Sequence, residues 1–246
     1  MEKIKRIFLS NRPYLTGVLL FFGAGLIFLL CWSKGDGFLL LNPYHGPFLD
    51  FFFSYFTYLG DGVFSILIVL AFLAFRRYGS ALQVLVAYAI SGLLVQLLKA
   101  LIITPRPKDF FALKNQIHLL DGITLSGSAS FPSGHSASAF ALATSLALLA
   151  HKKPKTWIYL VLAIGVGYSR IYLSNHFPRD VYAGAFVGFT VAFLVYMWMV
   201  GRLPGIINQE NKEMDRDRTP QKGSGGNSRS QAAFYKALKT GAHDST

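Results

Sequence analysis

Charge is scarce in this chain of 246 residues: 15% are Asp, Glu, Lys or Arg, against about 25% in an average soluble protein. Cys31 is the only cysteine, so an internal disulfide and a disulfide scaffold are excluded. Hydrophobic residues make up 52%, which excludes a collagen and a disordered chain. Residues 14–32, 78–98 and 181–200 lack any charged residue. Apolar runs of about 18 residues or more are typical of membrane-spanning helices.

These runs predict an all-α, polytopic membrane protein with six transmembrane helices, at roughly 14–32, 59–75, 78–98, 133–150, 156–173 and 181–200. The second and fifth are short, since 14 residues separate Asp61 from Arg76 and also Lys155 from Arg170. Such a length spans about 21 Å, less than a hydrocarbon core of roughly 30 Å. The basic residues 1–12 precede an apolar run without an Ala-x-Ala cleavage site, which favours an uncleaved first helix.

The distribution of the basic residues predicts the orientation. Residues 1–12, 76–77 and 151–155 hold nine basic residues and one acid, whereas residues 33–61, 99–132 and 170–180 hold seven and six. Basic residues are enriched in cytoplasmic loops, so we expect both termini to be cytoplasmic. The net charge of +12 would suggest nucleic acid in a soluble protein, but here we expect no nucleic-acid partner.

Two further segments have distinct compositions. Residues 201–246 lack an apolar run and are rich in Gly, Ser, Asn, Lys and Arg, which predicts a polar, largely disordered cytoplasmic tail after a membrane domain of residues 1–200. Residues 45–58 contain seven aromatic residues. They are expected to form an interfacial aromatic belt, a surface-lying helix at a lipid entrance, or both.

Most basic residues on the disfavoured outer side fall in three clusters. The first runs from Lys99 to Arg106-Pro107, after the third predicted span. The second is residues 131–135 (FPSGH), which open the fourth span, and the third is residues 169–180, between the fifth and sixth. The predicted topology places all three clusters at one membrane face, where their side chains are expected to converge.

Each of the three clusters contains residues that can bind a phosphate group. Lys99, Arg106 and Arg170 can neutralise it, and a guanidinium can bind two of its oxygens. Pro105 and Pro107 favour an extended backbone around Arg106. Ser133-Gly134 opens a predicted helix, whose free N–H groups favour an anion. The Ser133 hydroxyl adds a donor, and Gly134 permits close approach to the main chain.

Two histidines complete the predicted site. Asp180 follows His176 by four residues, so it can accept the Nδ1 proton and leave Nε2 as a nucleophile. His135 can protonate the departing oxygen as a general acid. Each cluster alone has a plain structural interpretation, as a membrane anchor, a helix cap or a hydrogen-bonded histidine, but together they predict phosphoryl transfer through a phosphohistidine. His45, His118, His151 and His243 are expected to lack partners.

The pattern Lys-x6-Arg-Pro, Pro-Ser-Gly-His and Ser-Arg-x5-His-x3-Asp resembles that of the phosphatidic-acid phosphatase superfamily, over roughly residues 55–200. The resemblance implies a six-helix, metal-independent membrane enzyme with its site at the outer face. It implies His176 as nucleophile, His135 as leaving-group acid and Asp180 as partner of His176. It also implies phosphate binding by the remaining matched residues, which are Lys99, Arg106, Ser133, Gly134 and Arg170.

The expected activity is hydrolysis of a phosphate from a membrane lipid, with no metal or cofactor. Phosphatidate, phosphatidylglycerol phosphate, undecaprenyl diphosphate and lipid A remain equally possible substrates, and the oligomeric state is open. Short loops and the lack of an Asn-x-Ser/Thr sequon favour a bacterial inner membrane. The alternatives are transfer of the phosphate to another acceptor and a non-catalytic phospholipid transporter. The motifs also resemble those of vanadium-dependent haloperoxidases, but the six apolar spans argue against these mostly soluble enzymes.

Overall fold

The computed structural model describes residues 8–9, 11–111, 117–125, 127–150 and 155–203. Regular structure in this part of the chain is helical, which confirms the predicted all-α class. The helices are α1 (Arg12–Cys31), α2 (Lys34–Leu41), α3 (Pro47–Phe56), a 3-10 turn (Thr57–Gly60), α4 (Gly62–Ala74), α5 (Tyr78–Leu101), α6 (Pro107–Phe110), α7 (Gly134–Leu149), α8 (Trp157–Tyr172) and α9 (Pro178–Arg202). The predicted tail lies almost wholly outside the described residues.

All six predicted spans coincide with helices, but their lengths differ from the prediction. By length and composition α1, α5 and α9 can cross a membrane, and a fourth span results if residues 47–60 and α4, which are bent by 54°, count as one. Helices α7 and α8 have 16 residues each, or about 24 Å. The short segment expected at 59–75 is shorter still, because Asp61 caps α4 and interrupts the helix.

Helix α3 has two different faces. Phe48, Phe51 and Tyr55 are exposed, while the ring of Phe53 packs against those of Tyr168 and Tyr172 on α8. An aromatic face turned outward, next to a packed one, is typical of a helix at a membrane interface. The residues expected to form an aromatic belt or a surface-lying helix therefore form an aromatic helix that leans on α8.

Helix α7 forms the centre of the molecule, and most of its side chains are buried. Its neighbours approach closely because the contact positions are small: a Cβ added to Gly184 or Gly188 of α9 would lie 2.3 Å and 2.1 Å from the carbonyl oxygens of Ser133 and Ala137. Small residues spaced by four are typical of helix pairs packed in membranes. The start of α7 is thereby fixed against the start of α9.

Polar side chains also link the helices. The Gln83 amide of α5 donates to the Ser145 hydroxyl of α7 and to the Ala192 carbonyl of α9, and the Tyr14 and Thr144 hydroxyls are 2.7 Å apart. Interhelical hydrogen bonds of this kind are worth about 1 kcal/mol in a membrane.

An apolar cavity of about 230 Å³ lies among α4, α7 and α8. Its lining includes Leu59, Ile68, Leu142, Leu162 and Val166. Leu59 is next to Gly60, where an added Cβ would lie 2.8 Å from the carbonyl oxygen of His135. On α7 the lining begins at Ala139, one turn after His135.

Candidate active site

The stretch before Arg106 is extended, as its two prolines predict. The Thr104 N–H donates to the Ser128 carbonyl, the Arg106 N–H donates to the Gly127 carbonyl, and the Ser130 N–H donates to the Thr104 carbonyl. These bonds join the first and second sequence clusters, because residues 127–130 lead directly into α7. They also seat Arg106 next to the start of that helix.

The three predicted phosphate-binding cations come together. The Arg106 guanidinium is buried and donates to the carbonyls of Asn175 and Ala129. The Arg170 guanidinium is buried too and donates to the Thr57 hydroxyl, while its Nε has no hydrogen-bond partner among the described residues. Lys99, half-buried at the end of α5, is within electrostatic range of both arginines. Three neighbouring cations repel one another, so an anion is favoured among them.

Helix α7 begins at this cluster. The Ser133 hydroxyl accepts hydrogen bonds from the N–H and the hydroxyl of Ser136, so it caps the helix and retains its own proton for a ligand. A Cβ added to Gly134 would meet only Val95, at 3.9 Å. The predicted open approach to the main chain of Gly134 is therefore present.

His135 faces the same cluster. Arg170, Lys99 and His176 all lie within its electrostatic range. Its Nε2 is 3.9 Å from a carboxylate oxygen of Asp61, and its side chain is about one-third exposed. A partly exposed imidazole beside a carboxylate is suited to taking up and delivering a proton.

His176 and Asp180 are also close, but the hydrogen bond expected between them is not formed. His176 Nδ1 lies 3.8 Å from Asp180 Oδ2, which is too long for a hydrogen bond. The same Oδ2 already accepts from the Ser130 hydroxyl at 2.6 Å and from the Phe177 N–H at 3.0 Å. The Asp180 carboxylate is thus held by the start of α9 and by the loop before α7, and not by His176.

His176 lies in the buried turn between α8 and α9, where its N–H donates to the Arg170 carbonyl. Burial lowers the pKa of its imidazole to about 4, and the nearby Arg170 and Arg106 add to this effect against the opposing Asp180. The ring is therefore neutral at physiological pH. A neutral imidazole keeps the lone pair that a nucleophile requires.

All eight predicted site residues meet at one end of the helices. Four residues that were not predicted join them: Thr57, Asp61, Ser130 and Asn175. Asp61 was detectable as an N-cap before an apolar run. No sequence signal marks Ser130 or Thr57, since their roles depend on contacts with distant residues.

The expectation that His45 and His118 lack partners is wrong. Their rings stack with centroids 4.1 Å apart. His118 Nε2 lies 3.1 Å from Asp50 Oδ1, and His45 Nε2 lies 3.0 Å from the Asn42 carbonyl oxygen. The sequence did not show this because 72 residues separate the two histidines. His151 and His243 lie outside the described residues.

The fold and the site define the class of protein: a helical membrane protein with a cluster of cationic side chains and histidines at the ends of its helices. Residues 80–204 match the PAP2 superfamily. The chain belongs to that family, which confirms the resemblance of the motifs.

The relatives and solved structures similar to this chain differ in name. Over 74 residues it is 45% identical to a bacitracin transport permease protein of Bacillus licheniformis, covering 30% of this chain and 35% of that protein. It is 33% identical to an undecaprenyl-diphosphatase of Bacillus subtilis, over 53% of this chain and 65% of the relative. It is 31% identical to a lipid A 4'-phosphatase of Bacteroides thetaiotaomicron, over 64% and 73%. The crystal structure of Aquifex aeolicus LpxE is similar, with a TM-score of 0.57 and 33% identity over 65% of this chain and 92% of that structure.

Proposed function

We propose that this protein is a metal-independent lipid phosphatase that removes a terminal phosphate from a lipid phosphate or diphosphate. The observation that carries the proposal is the convergence of Lys99, Arg106 and Arg170 on two histidines at the start of α7 and the turn before α9. The cations provide the anion site and the histidines provide the chemistry. Two of the relatives above are named as an undecaprenyl-diphosphatase and a lipid A 4'-phosphatase, which supports the proposal.

The proposed reaction has two steps. His176 Nε2 attacks the phosphorus atom, the bond from phosphorus to the lipid oxygen breaks, and His135 gives its proton to that oxygen. Water then attacks the phosphohistidine, His135 takes a proton from the water, and inorganic phosphate leaves. Asp180 stabilises the charged imidazole ring during the first step. Lys99, Arg106, Arg170, Ser133 and the α7 N–H groups bind the phosphate oxygens.

The proposal includes six membrane crossings, cytoplasmic termini and a site facing away from the cytoplasm of a bacterial inner membrane. The support is the distribution of basic residues in the loops and the position of the site at the C-terminal ends of α5 and α8 and the N-terminal ends of α7 and α9. Helices that alternate in direction bring these four ends to one face. Helices α7 and α8 are short for a full crossing, so the site would be recessed below the headgroups.

The test measures inorganic phosphate released by the purified, detergent-solubilised protein from phosphatidate, phosphatidylglycerol phosphate, undecaprenyl diphosphate and a lipid A phosphate. We expect release from at least one, and its loss in His176→Ala, with His243→Ala in the polar tail as the control. A phosphoenzyme that is acid-labile and base-stable, present in the wild type and lost in His176→Ala, would identify the intermediate. Undiminished release by a folded His176→Ala variant would refute the nucleophile assignment.

A transporter is the second candidate, because one relative is named as a transport permease. Movement of lipid between leaflets of a reconstituted vesicle, without phosphate release from any of the four lipids, would favour it. Transfer of the phosphate to a second acceptor is distinguished by adding an alcohol to the assay. A transferase would form a new phosphate ester at the expense of inorganic phosphate.

A further inference from the structure

Three side chains outside the proposed active site come together from distant parts of the chain. His45 lies in the turn between α2 and α3, Asp50 lies in the first turn of α3, and His118 lies in the segment 117–125 before α7. One nitrogen or oxygen of each lies within 4.8 Å of the others. Among the described residues this is the group of histidine, cysteine and acidic side chains with the geometry to hold a metal ion.

The hydrogen bonds of His45 determine which of its nitrogens is available. Its Nε2 faces two oxygens of Asn42, the carbonyl at 3.0 Å and the side-chain oxygen at 3.2 Å. Both are acceptors, so Nε2 carries the proton and Nδ1 carries the lone pair. Asn42 cannot turn its amide group away, because Nδ2 donates to the carbonyls of Ile171 and Tyr172. Metal-binding histidines are generally held by such a bond from the other ring nitrogen to a carbonyl.

The free nitrogen is buried and unsatisfied. Nδ1 of His45 has no hydrogen-bond partner among the described residues, although it is shielded from solvent. A buried lone pair without a donor is costly, and a bound cation would satisfy it.

The other two ligands are already at a suitable spacing. His118 Nε2 and Asp50 Oδ1 are 3.1 Å apart, and two ligands of a tetrahedral zinc ion, each about 2.0 Å from the metal, are separated by roughly 3.3 Å. Asp50 Oδ1 is further held by the Tyr172 hydroxyl at 2.6 Å. The His45 and His118 rings are stacked with centroids 4.1 Å apart and planes inclined by 22°, so both rings must rotate out of the stack to place one ion in both ring planes.

We propose that His45, Asp50 and His118 form a binding site for a zinc-class divalent transition-metal ion. Two imidazoles and one carboxylate favour zinc over calcium or magnesium, which prefer all-oxygen sites. All three side chains are partly exposed, so water can occupy the fourth position. The site is distinct from the proposed phosphate pocket, and no step of hydrolysis passes through it.

The bound ion would join α3 to the turn that carries His176. The Ser174 hydroxyl donates to the His118 carbonyl, and the Leu125 N–H donates to the Asn175 side chain, so the segment 117–125 already packs on residues 174–175. The expected effect is therefore thermal stabilisation of this face.

The test uses the full-length protein with any affinity tag removed, stripped with EDTA and titrated with ZnSO4 against a chromogenic chelator. We expect the wild type to bind one zinc ion per chain and its unfolding temperature to rise when zinc is added. His118→Gln and Asp50→Asn should each bind zinc at least tenfold more weakly and should lack this rise. Each variant is compared with itself without zinc, so a loss of stability caused by the substitution does not affect the result. His176→Ala is the matched control and should bind zinc like the wild type.

Three outcomes would overturn the proposal: no zinc bound at micromolar concentration, equal binding by His118→Gln and the wild type, or loss of zinc in His176→Ala alone. The last would place the ion at the phosphate pocket. None of them depends on phosphate release, so failure of this site and failure of the proposed function are distinguishable.

Discussion

Gly184 offers the sharpest test of how the site is assembled. A Cβ at this position would lie 2.3 Å from the carbonyl oxygen of Ser133 and 3.2 Å from the Cβ of Ser136, whereas ordinary contacts begin at 3.4 Å. To relieve the contact with the Ser133 oxygen, α9 must move away from the start of α7 by roughly 1 Å, which is the difference between 3.4 Å and 2.3 Å. The neighbouring bond from the Ser133 N–H to the Asp180 carbonyl, at 2.9 Å, would lengthen with it.

That displacement separates the two halves of the catalytic group, because His135 moves with α7 and Asp180 moves with α9. A misplacement of about 1 Å can cost roughly 100-fold in rate. We therefore expect Gly184→Ala to lower phosphate release about 100-fold, with a loss of about 1–3 kcal/mol in stability from overpacking. The assay is phosphate release at saturating lipid together with thermal unfolding in the same detergent.

The control is Gly92→Ala on α5, where an added Cβ would meet nothing within 4 Å. It is expected to keep wild-type activity and to be slightly more stable, since alanine favours a helix by about 0.5–1 kcal/mol over glycine. If Gly184→Ala releases phosphate as fast as Gly92→Ala does, the close approach of α9 to Ser133 does not position the site.

Three further results are expected. Ser130→Ala removes the 2.6 Å hydrogen bond to Asp180. It should lower kcat roughly tenfold with little change in KM, because hydrogen bonds to charged groups are worth about 1.5–3 kcal/mol. The control is Ser65→Ala, which removes a buried hydroxyl without a hydrogen-bond partner among the described residues and should not change kcat. Burial lowers the pKa of His176 to about 4, so the imidazole loses its lone pair only as the pH falls through that value. The acidic limb of the kcat/KM profile that belongs to His176 should therefore lie near pH 4. An acidic limb assigned to His176 with a pKa at or above 6.5 would contradict this. Phosphate release should survive EDTA, because the metal-binding geometry among the described residues lies at His45 rather than at His176; loss of activity restored by magnesium would count against the mechanism.

The sequence predicts the helices well because their signal is local. Each apolar run has enough length or enough flanking charge to mark a helix by itself, and Pro105 and Pro107 fix an extended stretch whatever surrounds them. The convergence of the three clusters was also predictable, since it needs only the alternation of helix directions. The number of full crossings was not, because whether a 16-residue helix such as α8 spans a bilayer depends on its neighbours.

Contacts between distant segments account for what the sequence missed. Asp180 was expected to bond to His176 because they are one helical turn apart, yet its Oδ2 is shared by Ser130 and the Phe177 N–H, and the histidine stands 3.8 Å away. The stacking of His45 on His118 is similar, since it depends on where the segment 117–125 folds back. Spacing along the chain cannot rank partners that compete for one oxygen.

The apolar cavity among α4, α7 and α8 bears on how the proposed enzyme would respond to its substrate. A lipid that leaves its tail among α4, α7 and α8 while its phosphate reaches His135 never has to enter water. Its encounter rate would then follow its mole fraction in the bilayer, not its amount per litre. Diluting the substrate with inert lipid at constant total substrate should slow turnover, while diluting the vesicles with buffer should not.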